Sequence, residues 1–376
     1  MPFSINIGDA WKEGTPYIKT SEPKSSVWVV KATKHESETY IYSTVVYNGK
    51  LYGGTYPNGK LLEWNGVDAW VEVAGQFGSD DYIYSLCVYN GKLYGGTYDS
   101  GSLLEWNGVD AWIDKTTASA YFGPVQSMVV YDEQLYACVT PSYPGTHNLV
   151  KWNDVDAWVD VAPTAYHPTG TSPVQNLTIY NDKLYGSRGL RGYLFEFNGS
   201  NAWVVKTDSF YLDGRICSIG GLVVWNGGLY ASIMVYNYGN NYGGIIKWND
   251  VDDWGVGYVA VVDNGANTII VYNDKIYCMP VESCRLYEYG TGFVADHILH
   301  NYGVSPVVYN NKLYTGTYDG GQLLEWYAGG DEWRQVDKLY ISQEGNATWE
   351  SVKDNTWEDL AAENWDYQKR SWRTVI

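Results

Sequence analysis

The chain has 376 residues, 45% of them hydrophobic, which is enough for a large core, and no apolar run approaches the length of a membrane span. Its formal charge of −18 disfavours nucleic acid and anionic membrane surfaces as partners, and the acids are spread thinly rather than gathered in blocks. The over-used residues are Tyr (36), Trp (18) and Gly (41), which suits half-buried strands joined by turns that need positive φ.

Taken in order, the chain begins Met1-Pro2-Phe3-Ser4 with neither a basic start nor an apolar run. No signal peptide is expected, and synthesis is assigned to a host cytoplasm. Residues 1–27 read as a leader of short aromatic-bearing strands that includes Trp11. From 28 to 340 the chain repeats itself. Tyr47-Asn48-Gly49-Lys50-Leu51-Tyr52-Gly53-Gly54-Thr55-Tyr56 returns as Tyr89-Asn90-Gly91-Lys92-Leu93-Tyr94-Gly95-Gly96-Thr97-Tyr98. Weaker copies begin at Tyr131, Tyr180, Trp225, Tyr272 and Tyr309, at intervals of 37 to 49 residues. A repeat of that length decides the fold before any local pattern does.

Each copy predicts four short strands. In the second they are Tyr84–Tyr89, Lys92–Tyr98, Leu103–Trp106 and Ala111–Asp114. Asn90-Gly91 predicts a type I′ hairpin turn between the first two, because that turn needs positive φ at both central positions. Turn residues at such regular spacing give an antiparallel meander, and seven four-stranded meanders give an all-β, seven-bladed β-propeller. Recurring aromatics in strands three and four predict blade-to-blade packing: Trp64 with Trp70, Trp106 with Trp112, Trp152 with Trp158, Phe197 with Trp203, Trp248 with Trp254, and Trp326 with Trp333. The sixth copy offers Tyr289 and Phe293 in those places. Two closures of the ring are open. Trp28-Val29-Val30 can supply the outer strand of blade seven, or Glu332–Val336 fills that place and Trp28 belongs to the leader. The second is favoured, because the seventh copy already carries four strands. Residues 341–376 leave the pattern, with Trp349, Trp357, Trp365 and Trp372 spaced by 8, 8 and 7. Large aromatics so dense in a short tail are hard to hide without a partner, so tail and leader are expected to dock the protein into an assembly.

The ring resembles kelch-like and tachylectin-like β-propellers through the repeated Leu-Tyr-Gly-Gly and the Trp of strands three and four. The resemblance covers about residues 28–340 and implies architecture, not activity. The ends resemble short modules of tailed-phage and prophage virion proteins, through Gly8-Asp9-Ala10-Trp11-Lys12-Glu13 and through Thr348-Trp349-Glu350-Ser351-Val352 with Thr356-Trp357-Glu358-Asp359-Leu360. That resemblance implies a tail-fibre, tail-tip or head-decoration component on the virion surface, held by other virion proteins through its termini.

Catalytic constellations are weak. His297 and His300 lack the Cys or carboxylate companions of a metal site, and there is no Gly-x-Ser-x-Gly elbow and no phosphate-cradling Gly-Lys-Ser/Thr loop. No enzyme activity, cofactor or metal is expected. The five cysteines are expected as buried thiols. Thr97-Tyr98-Asp99-Ser100-Gly101 and Thr317-Tyr318-Asp319-Gly320-Gly321 read as tight turns. Binding is the better idea. The face carrying the strand two–three turns and the blade-to-blade connections varies most, and its candidate ligand residues are Tyr121, Phe122, Tyr143, His147, Tyr166, His167, Phe210, Tyr211, Tyr236, Tyr238 and Tyr242. Tyr combines flat apolar area with a hydroxyl, which suits a host-surface glycan or protein. The alternative is a free lectin with one shallow sugar site per blade, in which Tyr56, Tyr98 and Tyr318 recur.

Overall fold

The computed structural model describes residues 27–116, 123–140, 148–162, 174–189, 191–207, 209–237, 241–255, 265–280, 285–295, 302–318 and 320–327, together with six short strands outside that span. Two compact units divide the chain: Ser26–Tyr327, and Met1–Ser25 with Ala328–Ile376. The first is the ring, seven antiparallel blades of four strands each, with one short extra strand on blade five. Their inner strands are Tyr40–Tyr47, Ile83–Tyr89, Val125–Tyr131, Val174–Tyr180, Arg215–Trp225, Ala266–Tyr272 and Tyr302–Tyr309.

The opening repeat explains how the blades lock. All seven first turns have positive φ at both central residues, from Asn48-Gly49 to Asn310-Asn311, as the type I′ turn demands. The aromatic just before each turn reaches the next blade. The hydroxyl of Tyr47 donates to Gly91 O at 2.9 Å, Tyr89 to Glu133 O at 3.2 Å, Tyr131 to Asp182 O at 3.4 Å and Tyr180 to Gly227 O at 3.1 Å. The circuit continues with Trp225 Nε1 to Asp274 O at 3.2 Å and Tyr272 to Asn311 O at 2.9 Å, and Tyr309 closes it on Gly49 O at 3.0 Å. Seven repeat-related aromatics thus form one closed ring of hydrogen bonds, which accounts for their recurrence.

Behind them, the glycines of strand two make room. A Cβ on Gly95 would stand 2.9 Å from Trp112 Cη2 of its own outer strand, and one on Gly96 would stand 2.6 Å from Val125 Cβ of the next blade. The aromatics of strands three and four are buried on these faces, as expected for Trp64, Trp70, Trp152, Trp158, Trp248 and Trp254. Blades one, two, four, six and seven each carry a Lys–Glu–Tyr set; in blade seven Lys312 Nζ is 2.8 Å from Glu325 Oε1 and the Tyr314 hydroxyl donates to Glu325 Oε2 at 2.6 Å. Cys138, Cys217 and Cys278 are buried thiols, and burial pushes the Cys278 thiol up to about 12; Cys284 lies outside the described residues.

Two expectations are corrected. Blade seven takes its outer strand from Val27–Ala32, not from 332–336. Trp28 pairs directly with Trp326, and Ala32 with Leu323. Trp28 is 5% exposed and packs with Tyr277, Met279, Leu286, Leu313, Leu324 and Trp326, so it seals blade seven against blade six. The competing strand, Trp333–Gln335, pairs with Tyr17–Lys19 in the other unit. In blade six, Tyr289 packs on Trp225 and Tyr230 as expected, but Phe293 does not replace the outer-strand Trp. Glu288 pairs with Gly292 where Glu63 pairs with Val71, so Thr291 holds the Trp position and Phe293, 55% exposed, points outward beside Tyr287.

Among its described residues the second unit contains three strand pairs: Ser4–Asn6 with Trp11–Glu13, Tyr17–Lys19 with Trp333–Gln335, and Tyr340–Ser342 with Trp372–Thr374. Trp11 and Trp372 therefore lie on strands, while Trp349, Trp357 and Trp365 lie outside the described residues.

Candidate ligand-binding face

Every inner strand enters from the face that carries the strand two–three turns, and every one has a β-bulge in its first turns of ladder. In blade one Ile41 pairs with Thr55 and Ser43 with Gly54, which leaves Tyr42 as the extra residue. The same shift isolates Tyr84, Gln126, Gln175, Gly220, Asn267 and Val304 in the other six blades. A bulge re-aims the side chain it carries. The residue before each bulge stays in the core, as with Ile41, Ile83, Val125 and Val174. The residue after it ties the blades: Ser85 Oγ donates to Val125 O at 2.8 Å, and Thr44 N donates to Ser305 Oγ at 2.7 Å. All seven bulge residues are uncharged, in a chain where 18% of residues are charged.

On blades seven, one and two this entrance is aromatic. Tyr318, Tyr40, Tyr56, Tyr82 and Tyr98 form one row with successive ring centroids 4.2, 5.1, 4.0 and 4.9 Å apart. The bulge residues Tyr42 and Tyr84, stacked at 5.2 Å, flank it, and Tyr42 also meets Tyr318 edge-on at 6.0 Å. The local cause is register: Tyr40 faces Tyr56 across the ladder, and the Tyr-Ile-Tyr-Ser of blade one recurs at Tyr82 in blade two. Each such pair contributes about 0.5–1.5 kcal/mol beyond area burial, so the row is a preorganised surface rather than seven independent side chains. Tyr98, 40% exposed, is its outer end. Burial, then the neighbouring phenols of Tyr318, Tyr82 and Tyr84, hold the Tyr42 phenol well above the ordinary tyrosine range, and burial also raises the Tyr84 phenol. These hydroxyls stay protonated and able to donate at neutral pH.

The carboxylates around the row hold turns. Buried Glu38 receives Asn58 N at 3.3 Å, and buried Asp80 receives Ser100 N at 3.0 Å and Ser100 Oγ at 2.8 Å. Burial raises the Asp80 carboxyl against the lowering effect of Ser100. Asp99, which the sequence places in a tight turn, accepts from Asp81 N at 3.0 Å. His35, Glu36 and Glu72 lie close enough to hold a cation, but the Lys60 ammonium is already 2.7 Å from both carboxylates.

Of the residues expected to bind ligand, Tyr121, Phe122, Tyr143, His147, Tyr166, His167 and Tyr238 lie outside the described residues. Phe210 is 5% exposed and belongs to the core between blades four and five, where its Cβ fills the space beside Gly192. Tyr211, Tyr236 and Tyr242 all lie on blade five, Tyr211 and Tyr236 on either side of Ile216, and Tyr242 one residue out of step and packed on the core between blades four and five. There Tyr211–Leu212 adds a short strand to the start of Arg215–Trp225. The strand two–three hairpin lengthens to match, with Val235 pairing Tyr242 and Tyr236 N donating to Ile216 O at 3.1 Å. Register equates Ser218 with Tyr40, so Arg215, Ile216 and Cys217 carry this sheet three residues further than blade one, about 10 Å. Tyr56, Tyr98 and Tyr318 meet in one row rather than in separate sites. Tyr40, Tyr42, Tyr82 and Tyr84 were not singled out from sequence, although the doubled Tyr-Ile-Tyr-Ser was there to find.

No protein-family model and no curated protein matches the sequence. Solved structures do. A catalytically inactive virginiamycin B lyase from Staphylococcus aureus, solved with quinupristin, is similar at a TM-score of 0.58 and 8% identity over 83% of this chain and 98% of that one. The WD40 β-propeller domain of Doa1 is similar at 0.56 and 13% identity over 80% and 96%. The computationally designed Ika8 protein is similar at 0.51 and 10% identity over 79% and 99%. Likeness at such identity shows the propeller fold alone.

Proposed function

We propose that this chain is a non-catalytic binding protein whose ring holds a neutral glycan on the tyrosine row of blades seven, one and two. The single observation behind this is that row, stacked across three blades at 4.0 to 5.1 Å and bordered by uncharged bulge residues. Tyrosines offer C–H stacking surface and hydroxyl hydrogen bonds together, which is the chemistry of a sugar ring. The carboxylates nearby are engaged in holding turns, which argues for a scaffold rather than a reaction centre. The test is a glycan array with the full chain and its Tyr82→Ala/Tyr98→Ala variant. Saturable binding should weaken at least about tenfold, the ~1.4 kcal/mol of one lost aromatic contact. Binding that ignores both substitutions, or binding to protein receptors only, would overturn the proposal.

The setting we propose is a virion surface, with the ring displayed by the unit built from the two ends. The pairing of Tyr17–Lys19 with Trp333–Gln335 supports it, because it joins leader and tail apart from the ring strands. Deleting Ala328–Ile376 should abolish incorporation into particles, read by immunoblot of purified virions; undiminished incorporation would end this part.

A further inference from the structure

We infer that the ligand is a glycan chain long enough to cross the mouth of the ring, held at one end by the tyrosine row and at the other by the raised hairpin of blade five. This rests on the reading of the row as a sugar site.

Inner strands touch in sequence around the circle, so blade five lies three blades from blade one and three from blade two. The row and the raised hairpin are therefore on opposite sides of the same mouth. Among the described residues, blade five is the one blade whose sheet carries a fifth strand. One face of that extension joins the core through Leu212 and Cys217, but its other face is open: Tyr211 is 51% exposed, Tyr236 is 39% exposed, and Ile216 between them is exposed as well. Tyr236 is nonetheless fixed, and Tyr242 braces the hairpin from its other face. Ser218 Oγ bonds the Tyr236 hydroxyl at 3.0 Å, and the Tyr242 hydroxyl donates to Asp213 Oδ2 at 3.2 Å. Exposed aromatics held by hydrogen bonds have little entropy left to lose on binding.

Between the two aromatic banks, the floor is built from bulge residues. On one flank these are Gln126 and Gln175, and on the other Asn267, all at least partly exposed. Primary amides donate and accept together, which matches a chain of hydroxyls along its length. An aromatic bank at each end with an uncharged amide floor between them fits a neutral polymer better than a single sugar, which can occupy only one bank.

The experiment is calorimetry of the full chain with neutral oligosaccharide ladders of the cellulose, chitin and starch types, from disaccharide to octasaccharide, repeated on Tyr211→Ala/Tyr236→Ala and on Tyr82→Ala/Tyr98→Ala. Engaging a second bank on the same ligand should raise affinity roughly tenfold or more once the chain is long enough. That gain should vanish in the blade-five variant, while its affinity for the shortest ligand stays at the wild-type value. Tyr211→Ala alone is the companion variant, since this exposed side chain can be removed without opening the core. An affinity independent of length, or a length gain that survives in both blade-five variants, would overturn the spanning chain while the row remained a sugar site. Absence of binding at every length, in a protein with wild-type melting, would overturn both.

Discussion

Replacing Trp28 by alanine tests how the ring closes. Trp28 is nearly fully buried, stands directly opposite Trp326, and packs between blades six and seven. Truncating a buried Trp to Ala costs about 3–5 kcal/mol, through lost burial and the cavity left behind. For a ring of this size each kcal/mol lowers Tm by about 2–4 °C, so Trp28→Ala should melt roughly 10 °C below the parent. The loss should be larger than for a mid-ring Trp, because it also loosens the strand that joins the first and last parts of the ring, and Leu323 and Leu324 beneath it depend on that strand for cover. Trp333→Ala is the control, since Trp333 belongs to the other unit. The assay is calorimetric melting of the full chain, with the ring transition followed by near-ultraviolet circular dichroism. A ring transition that shifts with Trp333→Ala and not with Trp28→Ala would refute the closure and restore 332–336 as the outer strand.

Four further outcomes are expected. Tyr309→Phe removes one of the seven bonds in the aromatic circuit, and since Gly49 O can turn to water the loss should be about 0.5–1 kcal/mol in urea unfolding, with binding unchanged. Gly96→Ala forces a methyl against Val125 and should cost about 1–3 kcal/mol; an unchanged melting point would show that the blades are not in van der Waals contact there. Val67→Ser should be silent within about 0.5 kcal/mol, because Ser200 makes the same turn in blade four, donating its N–H to Asn198 Oδ1 as Val67 does to Asn65 Oδ1. The fourth concerns alkaline pH. Burial, followed by the partner Glu, raises the phenols of Tyr52, Tyr94, Tyr185, Tyr277 and Tyr314. A folded pKa above the unfolded one gives stability that is complete below the unfolded value of about 10 and is lost as pH rises through the folded value. Thermal stability should therefore hold to about pH 9 and fall above about 10, with phenolate absorbance rising together with unfolding; ordinary phenol titration in a folded protein would contradict the placement of these rings.

What the sequence disclosed depended on what the repeat had to preserve. The turn residues were legible because positive φ admits few residue types, and Asn48-Gly49 and its six relatives all adopt it. The aromatic before each turn was legible as a marker, although its purpose, a bond to the next blade, needed coordinates. Closure was not legible, because Trp28-Val29-Val30 and Trp333-Arg334-Gln335 both read as a short strand opening on a Trp, and pairing alone separates them. Phe293 misled for a related reason: a shortened turn leaves Thr291 opposite Tyr289, so Phe293 falls two residues further along the strand, opposite Tyr287.

The binding face was the hardest part to see, and the reason is the bulge. An inserted residue breaks the period-two rule, so Tyr42 and Tyr84 look like ordinary strand residues until pairing shows that nothing stands opposite them. Loop length drew attention first to the long insertions, yet the rings that meet do so mainly on strand ends, where the scaffold leaves little freedom. Repetition then supplies the discriminating argument. A residue needed by the fold recurs in every blade, as the turn-one aromatic does. The bulge position varies through Tyr, Gln, Gly, Asn and Val and keeps only its lack of charge. Variation in size with neutrality retained, at the one position of each inner strand that its ladder with strand two does not use, is what a surface shaped for an uncharged ligand would show.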